Sequence, residues 1–130
     1  MFSGDFGLYH YRKYLNGKVI LITGNYEDDI SDEDLYEYGF DEVYRDCYEI
    51  IYKGETITMQ HKPSQIKDRR NLKESGLINL FGHIHKLCLV KPYGICVSCD
   101  CHNYEPIDFD TIMFYVNGIK EIYENYDVFL

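Results

Sequence analysis

Short apolar runs alternate along the chain with polar stretches rich in Gly, Asp and Asn, and the spacing is that of mixed strands and helices. Val19-Ile20-Leu21-Ile22 is a continuous apolar run of the kind buried on both faces, and predicts a strand over 18–23. Ahead of it, Phe2-Ser3 reads as the stub of a strand, and 8–15 as a short helix stopped by Asn16-Gly17. Ser31 is placed to cap a helix over 32–38, with Asp34 three residues on as in a capping box. Strands follow over 42–52 and 55–60, joined at Lys53-Gly54 as a hairpin, with Ile57, Met59 and His61 on one face. Residues 62–76 are polar and loop-like, with room for one short helix. A second buried-type strand covers 77–81, and strands over 87–90 and 95–101 pair across Pro92-Tyr93-Gly94. Asp108 caps a last helix over 109–125, with Ile112, Tyr115, Val116, Ile119 and Tyr123 at helical spacing. Parallel crossovers and hairpins together predict an α/β sandwich.

Composition narrows the classes. The 130 residues are 45% hydrophobic and 27% charged, enough apolar surface for one core and one domain over 1–130. The longest apolar run is about five residues, against roughly 20 for a membrane span. No secretory signal is evident at the start, so a cytoplasmic location is the default expectation. A net charge of -9, from 13 basic against 22 acidic residues, argues against a grip on nucleic-acid phosphates. The one basic cluster, Lys67 to Arg70 with Lys73, is interrupted by Asp68 and Glu74 and reads as a solvated face.

Five cysteines, an odd number, argue against a disulfide framework. Cys96-x-x-Cys99 and Cys99-x-Cys101 fall inside a predicted strand, where Cys99 and Cys101 share a face and Cys96 points the other way. No second pair at zinc-finger spacing follows. These are read as core thiols.

The candidate chemistry stands at the strand ends. Gly4-Asp5, Gly24-Asn25, His61 and Gly82-His83-Ile84-His85 each follow a predicted strand. Open α/β sheets form their sites outside the carboxyl ends of strands. Imidazole and oxygen donors gathered there suit Mn, Fe, Zn or Ni. Taken singly, each residue has a structural reading: a hydrogen-bonded His, or an Asn in a turn. His10 lies on the first predicted helix and is taken as a surface residue.

Gly4-Asp5-Phe6, Leu15-Asn16-Gly17-Lys18 running into Gly24-Asn25-Tyr26-Glu27, His61-Lys62-Pro63 and Leu80-Phe81-Gly82-His83-Ile84-His85 resemble successive motifs of the calcineurin-like metallophosphoesterases. The segment from Ile95, ending Asp100-Cys101-His102-Asn103-Tyr104-Glu105-Pro106, is similar to the C-terminal block of a small bacterial and phage branch of that family. The resemblance implies a β-sandwich flanked by helices and a divalent-metal site at the strand ends. Asp5 corresponds to the carboxylate bridging two metals; Asn25, His61 and His83 to further ligands of one; His85 to a ligand of the other. The implied activity is hydrolysis of small phosphomono- or diesters by metal-activated water.

Two departures shape the expectation. The family opens with a strand ending in Asp-x-His, and this chain reads as lacking that first strand and helix. Asp100-Cys101-His102 reads as a local feature, not a replacement. Tyr26 and Glu27 stand where the family has His and Asp, so a phenol takes the place of the acid that meets the phosphate. One well-held metal, a weak or empty second position and impaired turnover are therefore expected. The alternative is a catalytically weak or inactive binding or scaffold module on the same fold. The sheet edge left without its first strand predicts a homodimer.

Overall fold

Two sheets organise the residues that the computed structural model describes, namely 12, 14–24, 29–84, 89–98, 101–103 and 105–122. The smaller sheet pairs β1 (Ile20–Ile22) with β2 (Glu42–Tyr44) in parallel, Leu21 opposite Val43. Helix α1 (Asp32–Glu37) makes the crossover. Ser31 Oγ accepts the backbone N–H of Asp34 at its start, as the sequence predicts. Leu21, Leu35 and Phe40 form a small core beneath this unit.

The larger sheet runs β3 (Cys47–Tyr52), β4 (Glu55–Gln60), β5 (Leu77–Phe81), β7 (Gly94–Cys96), β6 (Val90–Lys91). β3 and β4 are antiparallel around Lys53-Gly54, both at positive φ as a two-residue hairpin turn requires. β5 lies parallel to both β4 and β7, and β6 pairs antiparallel with β7. Between β4 and β5 a 3-10 turn (Pro63–Gln65) and helix α2 (Leu72–Ser75) occupy the polar stretch. Asn71 Oδ1 caps α2 by accepting the N–H of Glu74 at 3.0 Å.

Helix α3 (Phe109–Ile122) is capped by Asp108, whose Oδ1 accepts the Thr111 N–H at 2.8 Å. Its buried stripe, Ile112, Val116 and Ile119, packs with Ile57, Leu72, Ile78, Leu80 and Ile95 in the main core. Residues at helical spacing on α3 thus meet residues two apart on β4 and β5. On the opposite sheet face Ile66, Phe81 and Cys96 form a third cluster. The architecture is mixed α/β with a five-stranded mixed sheet. No helix among the described residues is long and apolar enough to cross a membrane.

The structure corrects two expectations. The strand predicted over 42–52 is two strands in different sheets, broken at Arg45-Asp46. The Arg45 guanidinium turns away to Ile30 O at 2.6 Å and Asp32 Oδ1 at 2.5 Å, and Thr23 Oγ1 takes the Arg45 carbonyl. The strand predicted over 95–101 ends at Cys96. Its last link to β5 is Val97 N to Phe81 O, after which the chain turns, Cys101 N bonding Ser98 O. That turn brings Cys101 Sγ to 3.9 Å from Cys96 Sγ, where strand alternation had put them on opposite faces. The predicted pairing across Pro92-Tyr93-Gly94 is present: Leu89 O accepts from Cys96 N at 2.8 Å, and Val90 and Lys91 form β6 opposite Ile95 and Gly94. The stub at Phe2-Ser3, most of the helix over 8–15, residues 87–88 and Tyr123 fall outside the described residues.

Candidate functional site

The parallel register of β4 and β5, Met59 opposite Leu80, brings the ends of both strands to one place. Two bonds lock them there. The buried Gln60 side chain donates from Nε2 to Leu80 O at 2.7 Å, and Gly82 N donates to His61 O at 2.8 Å. Beyond this clamp the next turn is tight. Ile84 N bonds Gly82 O at 2.7 Å across His83, whose φ is 68°. An i to i+2 bond over a positive-φ residue is a strained γ-turn, rare for a residue with a side chain.

This turn aims His83 at His61. His83 Nδ1 lies 3.2 Å from His61 Nε2, with ring centroids 5.1 Å apart and ring planes 73° to one another. Packing beneath position 82 is close: a Cβ there would lie 3.3 Å from Ser98 Oγ and 3.6 Å from His61 O. The Cys96 thiol reaches the same Ser98 hydroxyl at 3.5 Å, so the end of β7 closes the floor of the site.

Two hollows meet at His61. One, of about 230 Å³, is polar and includes Thr23, Arg45, Asp46, Lys62 and Gln65. Gln65 Oε1 accepts the Lys62 N–H at 2.8 Å and holds that loop in place. The other, of about 390 Å³, opens between the two sheets and is largely apolar, with Leu21, Met59, Phe81, Val97 and Ile107 in its wall. Gly24 and His61 border both.

Of the residues singled out from sequence, the structure brings His61 and His83 together. Asp5, Asn25, Tyr26 and His85 lie outside the described residues. Among the described residues no group of three or more His, Cys, Asp or Glu side chains is gathered around one point. His102 Nε2 lies 2.9 Å from Cys96 O, and Asp100 of the same motif lies outside the described residues. Sequence reasoning overlooked Gln60, Ser98 and the Arg45-Asp46 break. The adjacency of Gln60 to His61 was the one available signal; the other two depend on how the sheets meet.

No protein-family model matches the chain, and no curated protein matches it. A search of solved structures finds similarity to a crystal structure of a protein of unknown function from Aquifex aeolicus, with a TM-score of 0.55 and 22% identity. The match covers 82% of this chain and 66% of that one, so this chain spans slightly less than two thirds of its neighbour's length. At that identity the likeness speaks for the fold alone.

Proposed function

We propose that the protein is a metal-dependent phosphohydrolase of the calcineurin-like kind, acting on small phosphomono- or diesters, its two sheets forming the sandwich of that fold. The observation that carries this reading is the 3.2 Å approach of His61 Nε2 and His83 Nδ1 at the carboxyl ends of adjacent parallel strands. That is the separation of two ring nitrogens sharing one ion at about 2.0–2.1 Å each, with about 100° between the bonds. Neutral imidazoles suit Mn, Fe, Zn or Ni. Backbone strain at His83 also fits, since strain persists where a side chain must be held in one direction.

In this reading Asp5 and Asn25 complete the ligand set of that ion, and Asp5 and His85 are the candidates for a weak second position. Bound there, a divalent ion supplies Lewis acidity toward a phosphoryl oxygen. The chain's own residues do the rest. His61 and His83 hold the ion through neutral rings, and Asp5 adds the negative charge. Tyr26 donates a hydrogen bond to the phosphate, and Lys62 lends positive charge from the polar hollow. Metal-dependent hydrolysis of bis(p-nitrophenyl) phosphate and p-nitrophenyl phosphate with added Mn is the test, with His83→Ala as control. Metal quantitation of protein purified without chelator is expected to give about one equivalent. Two tight equivalents, or no rate above the control, would refute the corresponding part.

A second reading is favoured by one observation: Tyr26-Glu27 stands where the resembled family carries His-Asp. A phenol with an ordinary pKa near 10 donates a hydrogen bond but carries no imidazolium charge. Metal binding without turnover would make the protein a binding or scaffold module on the same site.

A further inference from the structure

The two hollows that share His61 and Gly24 differ sharply in chemistry. The smaller is polar, bordered by Thr23, Asp46, Lys62 and Gln65, with the Arg45 guanidinium already engaged by Ile30 O and Asp32 Oδ1. The larger is walled by aliphatic and aromatic side chains, among them Leu21, Phe81, Val97 and Ile107. A ligand reaching both through the shared border therefore needs a polar end and an apolar end; in the phosphohydrolase reading the polar end is the phosphoryl group.

We infer that the site takes phosphoesters bearing one alkyl or aryl group. The phosphoryl end lies at His61 toward the polar hollow, and the hydrocarbon end lies between the sheets. This rests on the phosphohydrolase reading above and adds the class of substrate. Size supports the assignment. A cavity of about 150 Å³ accommodates benzene, so the 390 Å³ between the sheets holds a ring or a chain of six carbons and more. Pockets of about 300–1,000 Å³ with apolar walls and a few convergent polar groups are the usual form of small-molecule sites. Continuity also supports it. The apolar wall is formed by the same strand ends, β4 and β5, that carry His61 and Gly82, so an ester group leaving the phosphate at His61 enters it directly.

The inference predicts affinity that climbs with hydrocarbon length. Each buried methylene tightens binding by about fourfold. Calorimetric titration of the full chain with methyl, butyl and hexyl phosphate is expected to show hexyl phosphate at least about 10-fold tighter than methyl phosphate. Ile107→Phe, on the segment before α3, adds bulk to the cavity wall and is expected to reduce that ratio below about threefold. Val97→Leu, a smaller intrusion from the end of β7, is the second variant, and thermal melting of each confirms that it folds. Equal affinities for the three esters, no binding of any, or a full chain-length dependence in both folded variants would overturn the inference. Mn-dependent turnover is measured separately. Turnover without chain-length dependence removes the inference and leaves the hydrolase. Chain-length dependence without turnover keeps the amphipathic site and removes the hydrolase.

Discussion

The backbone N–H of Gly82 donates to the carbonyl oxygen of His61 at 2.8 Å, joining the ends of the two parallel strands that carry the histidine pair. A Cβ at position 82 would press on Ser98 Oγ at 3.3 Å and come into ordinary contact with His61 Nδ1 at 3.7 Å. The Ser98 hydroxyl rotates away easily; the His61 ring does not. Gly82→Ala is therefore expected to fold with near-normal melting and modestly weaker Mn or Zn binding. Gly82→Val, whose branch meets the ring, is expected to lose about 10–100-fold in metal affinity, the range typical of groups that orient ligands. Isothermal titration of both variants checks the order; equal affinities would show that the clamp does not set the ring position.

His83 holds a positive φ of 68°. Asn tolerates that region better than His, and a residue held there costs about 1–3 kcal/mol. His83→Asn is expected to keep or raise the midpoint of urea unfolding while abolishing metal-dependent turnover. A lower midpoint would mean that the His61 contact stabilises the fold by more than the strain costs.

Asn79 is a buried polar residue in the middle of β5, and its amide is fully used. Oδ1 accepts from the Thr58 hydroxyl; Nδ2 donates to Asp68 O at 3.1 Å and Tyr93 O at 2.9 Å. It ties the 66–71 loop and the turn before β7 to the sheet. Asn79→Ala leaves the Asp68 and Tyr93 carbonyls without that donor and is expected to destabilise by about 3 kcal/mol. Gly94 faces the same residue across the parallel ladder, and a Cβ there would collide with Asn79 O and lie 2.9 Å from Asn79 Cβ. Gly94→Ala is expected to cost about 3 kcal/mol or more, because backbone on both sides leaves nothing to move. Urea unfolding at constant m-value measures both.

Among the described residues three carboxyls have pKa values held below the ordinary range. Asp108 is lowered by hydrogen bonds from Thr111, Asp68 by hydrogen bonds from Arg70 and its charge, and Glu42 by hydrogen bonds from Lys18 and Tyr44. A carboxyl whose folded pKa is depressed contributes stability that is present above its unfolded value. That stability is lost as pH falls through the folded one. Stability is thus expected to decline below about pH 4 from these groups. Asp108→Asn keeps an N-cap acceptor but cannot titrate, and is expected to flatten part of that decline. Thermal melting from pH 3 to 7 on wild type and variant checks it; parallel curves would rule Asp108 out as a contributor.

Hydrophobic periodicity was enough to place the hairpin at Lys53-Gly54, the strands over 55–60 and 77–81, and the buried stripe Ile112, Val116, Ile119. These features are local: a period of two or 3.6, a turn pair and a capping Asp are written in neighbouring residues. His61 and His83 were likewise legible as strand-end residues. Which sheet each strand joined was not. Residues 42–52 read as one strand because no Gly or Pro interrupts them, yet the Arg45 guanidinium finds Asp32 and Ile30 across the crossover, and the chain changes sheets there. The strand at 95–101 stopped early for a related reason: β5 ends at Phe81, and a strand without a neighbour has no ladder to continue. The meeting of two imidazoles at 3.2 Å and the apolar space beside them came from register and from one strained turn, both set by contacts between residues some twenty positions apart. Local preference chooses the elements; their neighbours in space choose where they end and what their ends face.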